Sequence, residues 1–188
     1  MVLSKLAQEV SNTIVATIKG ADDILSALRG AVKNQVVGTF KDVGDIATSG
    51  LDAVVDVVQG SVAGASQVGA SLTDAAKGAV SSAIKGVSEV GGDVLVAARK
   101  ATRGAVAGAA EVGGDVGRVA VSAVEGAIET AGSVGASSAD AARQAAVGAV
   151  KAADEVSDEV GKIVRDALLG AASLPRDVME KVVKGSGS

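Results

Sequence analysis

The side chains that could do chemistry in this sequence are almost all carboxylates and amines. The chain has no His and no Cys, which removes imidazole bases, thiolate nucleophiles and the nitrogen and sulfur ligands that zinc prefers. Its titratable side chains are 22 acidic and 18 basic residues, types that commonly cover the solvent-exposed face of a helix. We therefore expect no catalytic residue, no metal ligand, no bound cofactor and no enzymatic activity.

Acidic residues recur in pairs four residues apart, a spacing at which like charges on a helix repel each other. The pairs are Glu89 with Asp93, Glu111 with Asp115, and Glu155 with Glu159. One interpretation is a cation site or a docking face for a basic partner. The interpretation we favour is an ordinary solvated surface, because basic residues lie nearby in sequence, namely Lys85, Arg118, Lys151 and Lys162.

Composition also argues against nucleic acid as a partner. The net charge is −4, and basic and acidic residues are mixed along the chain. Phe40 is the single aromatic residue, so no set of stacking side chains is available for bases. The chain therefore has neither the basic patch nor the aromatic platform that nucleic-acid binding requires.

The ends of the sequence and its apolar stretches bear on localisation. Glu9 and polar neighbours interrupt the N-terminal segment, so we expect no signal peptide. The longest stretch without charge runs from Val57 to Thr73, which is too short and too polar for a transmembrane helix. The last five residues, Lys-Gly-Ser-Gly-Ser, are typical of a linker or a cloning scar. We expect a cytoplasmic protein, with association to a membrane or granule as the alternative.

An internal repeat dominates the chain, with a period of 22 residues that divides into two units of 11. The first residues of these units alternate between Val and Ala. They are Val68, Ala79, Val90, Ala101, Val112, Ala123, Val134, Ala145, Val156 and Ala167. A second column of Ala and Val runs at the same spacing from Val10 to Val164 and includes Val87, Ala98, Ala109, Ala120 and Ala131. Both columns predict one face of a helix.

Eleven residues make three helical turns at about 3.67 residues per turn, a period that produces a right-handed supercoil. We therefore predict an all-α fold of long right-handed coiled-coil helices with close Ala and Gly packing. Three segments are expected: an N-terminal helical segment with bulkier apolar residues over 1–42, the repeat helix over 43–171, and a tail over 172–188. Helical hairpins stacked at the 22-residue period are the alternative.

The choice between these folds depends on the paired glycines of the sequence Glu-Val-Gly-Gly-Asp-Val, which occurs from Glu89 and again from Glu111. Glycine followed by Asp is typical of a helix end and the next N-cap. However, the apolar spacing continues through these positions without a change of phase. We therefore favour glycines that let a second helix come close. The candidate interface glycines are Gly91, Gly113 and Gly135 in one column and Gly104, Gly126 and Gly148 in another.

The eleven-residue units rich in Gly, Ala and Val, with Val-Gly-Gly-Asp segments returning at 22 residues, resemble bacterial hendecad-repeat proteins of unassigned function. The resemblance covers about residues 43 to 171. It implies a long right-handed coiled coil or an assembly of such helices.

Two functions are compatible with this pattern. The first, which we favour, is a structural protein that self-assembles through the Ala/Val/Gly stripe into an oligomeric coiled coil, barrel or filament. The second is an amphipathic coat or anchor on a membrane, lipid droplet or polymer granule. Small side chains bury little area against lipid, at about 25 cal/mol per Å², so they suit helix–helix contact better. We expect a homo-oligomer, with a lipid or apolar surface as the alternative partner.

Overall fold

The computed structural model describes residues 4–18, 23–43 and 49–185. Every regular element in these ranges is an α-helix. The helices are α1 (Lys5–Ile18), α2 (Ile24–Val43), α3 (Ser49–Gln67), α4 (Leu72–Glu89), α5 (Val94–Glu111), α6 (Val116–Ser133), α7 (Ser138–Val156), α8 (Asp158–Gly170) and α9 (Arg176–Gly185). The all-α class predicted from the sequence is confirmed.

Each 22-residue unit in the middle of the chain is an 18-residue helix followed by a four-residue turn. Gly91 shows how the helix stops. Its φ is +75°, in the left-handed region that glycine enters without steric cost. The Gly92 amide donates to the Val87 carbonyl at 2.9 Å, and the Gly91 amide donates to the Ser88 carbonyl at 3.2 Å. This pair of hydrogen bonds is the Schellman C-terminal motif.

The residue that ends each turn begins the next helix as its N-cap. Asp93 accepts hydrogen bonds from the amides of Leu95 and Val96, at 2.9 and 3.1 Å. Ser71, Asp115 and Ser137 fill the same role for α4, α6 and α7. A capping side chain satisfies an amide that has no partner within its helix and stabilises the start of the helix by about 1 kcal/mol. Glycine and cap together therefore fix both ends of α4, α5 and α6.

The prediction of one continuous hendecad helix over residues 43–171 is wrong, and the stacked-hairpin alternative is the fold observed. Glycines with left-handed φ end α3, α4, α5 and α6, at Gly69, Gly91, Gly113 and Gly135. The apolar phase survives these breaks for a physical reason. Eleven residues make three turns within a helix, and 22 residues return the chain to the same position of the next helix. Val87 and Ala98 are therefore both buried although a turn separates them.

The helices form two layers. Odd-numbered helices pack on odd-numbered ones in the order α1, α3, α5, α7 and α9, and even-numbered helices pack in the order α2, α4, α6 and α8. Consecutive helices connect the layers through the short turns. Each helix thus contacts its chain neighbours and the helices two positions away, which is the arrangement of a stacked repeat.

A single hydrophobic cluster lies between the layers and runs from Val10 to Val182. The bulky side chains of the N-terminal segment, including Ile14, Leu28 and Phe40, belong to the same cluster as the Ala and Val residues of the repeat. The side chains that carry the 11-residue columns thus bury one another inside one chain. Gly20, a candidate helix break because Ala21, Asp22 and Asp23 follow it in the sequence, lies outside the described residues.

The C-terminal end of the stack departs from the 22-residue spacing. Ser157 has an extended backbone, ends α7 and caps α8 by accepting from the Val160 amide at 3.1 Å. After Pro175, α9 packs on α7 and α8, with Met179 and Val182 buried. With 10 residues, α9 is about half as long as the 19-residue α7. It therefore cannot cover the whole length of α7.

Candidate functional site: glycine-lined helix contacts

The closest helix contacts lie in the odd layer, where glycines of one helix face the backbone of another. A Cβ placed on Gly104 in α5 would lie 2.5 Å from the Val55 carbonyl oxygen in α3. A Cβ on Gly108, one turn later, would lie 2.7 Å from the Gln59 carbonyl oxygen. Both distances are shorter than any contact a real methyl group makes. The two helices are therefore packed backbone to backbone.

The same kind of contact joins α7 to α5 and α3 to α1. In α7, Gly148 lies against the Arg99 carbonyl of α5. In α3, Gly60 lies against the Ala7 carbonyl of α1, and Gly64 lies against the backbone of Ser11. The Gly-x-x-x-Gly spacings at 60/64 and 104/108 thus mark close helix approach. They join helices of one chain.

The even layer uses side chains where the odd layer uses backbone. A Cβ on Gly78 in α4 would meet the Arg29 side chain, at 3.0 Å from Nε. One on Gly86 would lie 3.1 Å from Cγ1 of Val36. Gly126 is the exception, with the Lys77 carbonyl at 2.9 Å from its added Cβ. The long Arg29 side chain can rotate away, so Gly78 is under weaker constraint than the odd-layer glycines that face backbone.

The interface residues predicted from the sequence fall into three groups. Most lie within helices and are buried: Ala79, Val87, Ala98, Ala101, Gly104, Ala109, Ala120, Ala123, Gly126, Ala131, Ala145 and Gly148. Those at the helix C-termini or in α8 are half-buried, namely Val68, Val90, Val112, Val134 and Ala167. Val156, at the end of α7, is 37% exposed.

The glycine column at Gly91, Gly113 and Gly135 does not form helix contacts, which corrects the sequence interpretation. These residues are exposed, and a Cβ added to any of them would meet nothing within 4 Å. What they share is a positive φ, between 68° and 83°. The two glycine columns therefore have different roles: one ends helices, and the other lets helices touch.

Four of the six acidic residues in these pairs act as helix caps or in cross-helix ion pairs. Asp93 and Asp115 cap helices, whereas Glu89 pairs with Lys33 at 2.5 Å and Glu155 pairs with Arg103 at 2.7 Å. The basic residues expected to neutralise them, Lys85, Arg118, Lys151 and Lys162, form no ion pair with these acids in the described part of the chain. The partners come from helices two positions away, which sequence proximity could not show.

Two polar atoms inside the stack have no hydrogen-bond partner among the described residues: Oγ1 of Thr102 and Oε2 of Glu111. Thr102 is fully buried in a column that otherwise holds apolar residues at the 22-residue spacing, such as Val80 and Val124. An unsatisfied buried hydroxyl costs about 1–3 kcal/mol. Thr102 is therefore a weak point of the core, and its place in a Val column is the sequence signal for it.

An ion pair spans the irregular α7–α8 junction. The Arg165 guanidinium donates to both carboxylate oxygens of Asp154, at 2.7 and 2.6 Å. This hydrogen bonding raises the pKa of Arg165 above its usual value. Because both groups are partly exposed, the pair stabilises the junction by no more than about 1 kcal/mol. Its geometry fixes α8 against the end of α7.

Sequence reasoning missed one surface, a groove of about 600 Å³ between α7 and α9. Val147, Val150 and Val182 line it, together with basic side chains that include Arg143 and Lys151. The 22-residue pattern did not predict this groove, because the groove lies where the short α9 packs on the full-length α7. No group of three or more potential metal-ligating side chains occurs in the described ranges.

A solved protein is similar to the chain over nearly its whole length. The crystal structure of the de novo designed helical repeat protein DHR7 matches with a TM-score of 0.53 and 22% sequence identity, covering 96% of this chain and 95% of that one. The fold is a helical repeat. At this identity the likeness establishes the fold alone. No protein-family model matches the sequence, and no curated protein does. None of the described helices combines the length and apolarity needed to cross a membrane.

Proposed function

We propose that this chain is a non-enzymatic structural protein, a rigid helical-repeat scaffold held together by its Ala/Val/Gly stripe. The observation that carries the proposal is the series of glycine–backbone contacts at Gly60, Gly104 and Gly148, which ties successive odd helices into one stack. Such contacts leave little freedom to slide or hinge, because any displacement brings backbone atoms into collision. A protein whose core is one continuous stack is suited to hold a fixed length and surface.

The proposal includes self-assembly, but through surfaces other than the Ala/Val/Gly stripe. The helix-interior residues of the stripe are buried within one chain, so copies would associate through the ends of the stack or its outer faces. Homo-oligomers, a cytoplasmic location and kinship with hendecad-repeat proteins remain predictions of the sequence pattern.

The coat hypothesis requires the stripe to face an apolar surface. That would open the single hydrophobic cluster that joins all the described helices. Ala and Gly would recover little free energy on lipid, because burial yields about 25 cal/mol per Å² and these side chains offer little area. Burial of the stripe within the chain therefore supports the scaffold over the coat.

Circular dichroism and multi-angle light scattering on the purified chain, across a concentration series without lipid, test the proposal. A scaffold is highly helical and unfolds cooperatively, with a mass of 18.1 kDa or a defined multiple of it. Gly104→Ala should lower the stability, whereas Gly38→Ala should not, because nothing lies within 4 Å of a Cβ at Gly38. A chain that is unfolded alone and becomes helical only with vesicles would overturn the scaffold and support the coat.

A further inference from the structure

The groove between α7 and α9 combines an apolar floor with a basic rim. Its floor is formed by Val147, Val150 and Val182, and its exposed lining is mostly carbon. Val147 is 37% exposed, which makes it one of the most exposed large apolar side chains in the described part of the molecule. A volume of about 600 Å³ lies in the range of small-molecule sites.

Three cations surround this floor: Arg143 and Lys151 on α7 and Lys181 on α9. None of them has a hydrogen bond or ion pair within the described residues. Two carboxylates also line the groove, but each already has a cation. Asp154 is paired with Arg165 at 2.6 Å, and Glu155 with Arg103 at 2.7 Å. The charge available to a ligand is therefore positive, although the chain as a whole is negative.

We propose that this groove binds a single-chain anionic amphiphile, a molecule with one alkyl chain and a permanently or largely ionised acidic head group. The alkyl chain would lie on the three valines, where burial of its methylene groups stabilises the complex. The head group would meet Arg143, Lys151 or Lys181, whose flexible side chains can close over it. Hydrogen bonds between such cations and an anionic oxygen are stronger than neutral ones.

Other occupants fit less well. A symmetric contact with a second copy would bring the three cations of each copy against those of the other, which charge repulsion opposes. The free cations at the rim favour an anionic ligand, and the groove volume of about 600 Å³ suits a small molecule.

Isothermal titration calorimetry of the full chain with sodium decanesulfonate, below the concentration at which it forms micelles, tests this site. The sulfonate stays ionised at every pH used, so its charge is not a variable. We expect saturable binding of one molecule per chain. Decyltrimethylammonium has the same alkyl chain and the opposite charge, and it should bind at least tenfold more weakly.

Matched variants locate the binding. Lys151→Glu should weaken decanesulfonate binding at least tenfold, whereas Lys184→Glu makes the same charge change on α9 outside the groove lining and should alter it less than twofold. Val147→Asp tests the floor, with Ile163→Asp as its control at another exposed apolar residue. Equal effects of groove and control variants, equal binding of the cationic analogue, or absence of saturable binding would each overturn the proposal. Unchanged helical dichroism confirms that each variant is folded.

Discussion

Glycines let helices pack closely in both layers of the stack, but the atoms that they contact differ between the layers. In the odd layer, glycines of α3, α5 and α7 lie against backbone carbonyls of the preceding odd helix. In the even layer, Gly78 lies against the Arg29 side chain and Gly86 against Val36, whereas Gly126 lies against the Lys77 carbonyl as in the odd layer. A carbonyl is part of a rigid helix, whereas the long Arg29 side chain can change rotamer. Glycines of the two layers can therefore differ in how much added volume they tolerate.

The largest expected effect comes from adding a methyl group in the odd layer. Gly104→Ala should gain up to about 1 kcal/mol of helix propensity but lose more through overpacking against the Val55 carbonyl, for a net loss of about 2 kcal/mol. Gly78→Ala, facing the flexible Arg29 side chain in the even layer, should be near neutral. Urea unfolding measured by circular dichroism compares them. Equal losses in both variants would remove the distinction between the layers.

A smaller loss is expected at the turns, which serve both layers equally. Gly91→Ala places a Cβ at a φ of +75° and should cost about 1–2 kcal/mol in the free energy of unfolding. Gly91→Asn should cost less, because Asn tolerates the left-handed region. Thermal unfolding of the two variants beside the parent chain measures this order. A stabilised Gly91→Ala protein would mean that the helix continues through this residue.

Removing the buried hydroxyl of Thr102 should stabilise the protein. Thr102→Val fills the same space without an unsatisfied polar atom and should raise the free energy of unfolding by about 1 kcal/mol. Val124→Thr makes the reverse change at the equivalent buried position in the even layer and should lower it by a similar amount. The pair is measured by the urea midpoint at constant slope. If Thr102→Val were destabilising, the hydroxyl would have a partner in solution.

The smallest effect concerns the start of α2 and depends on pH. Hydrogen bonds from the Ser26 hydroxyl and amide lower the pKa of Asp23 below 3.8. A carboxylate with a lowered pKa stabilises the folded chain above its ordinary pKa, and this contribution is lost as the pH falls through the folded value. The melting temperatures of Asp23→Ala and the parent chain should therefore differ at pH 7, and the difference should shrink as the pH falls and Asp23 becomes protonated. A constant difference would assign the effect to packing.

Much of this architecture follows from the sequence, but one decisive choice did not. The 11- and 22-residue columns correctly predicted helices and a buried face at Ala98, Ala120 and Gly104. They could not separate a continuous helix from stacked hairpins, because an 18-residue helix plus a four-residue turn preserves the same phase. The local chemistry of Gly91 and Asp93 was the better guide, since a left-handed glycine followed by an N-cap is a complete stop signal.

Other features could not be predicted from the repeat pattern. The ion partners of Glu89 and Glu155 lie on helices two positions away, so only the order of helices within each layer identifies them. The α7–α9 groove exists because α9 is short, and a repeat describes only what its units have in common. Thr102 was visible in principle as a polar residue in a Val column, but the sequence could not show that its hydroxyl has no partner.

The glycine contacts also recur at a constant spacing along the chain. Gly104 meets Val55, Gly126 meets Lys77 and Gly148 meets Arg99, and each pair is separated by the same 49 residues. The pair of α5 and α6 with their turns occupies 44 residues, 94–137, so a second copy of this segment inserted after 137 would meet contacts of the same kind as those its neighbours already use. Length could then be set by the number of such units, with the helices at either end of the stack unchanged. The length of a chain of this kind would change only by whole repeat units.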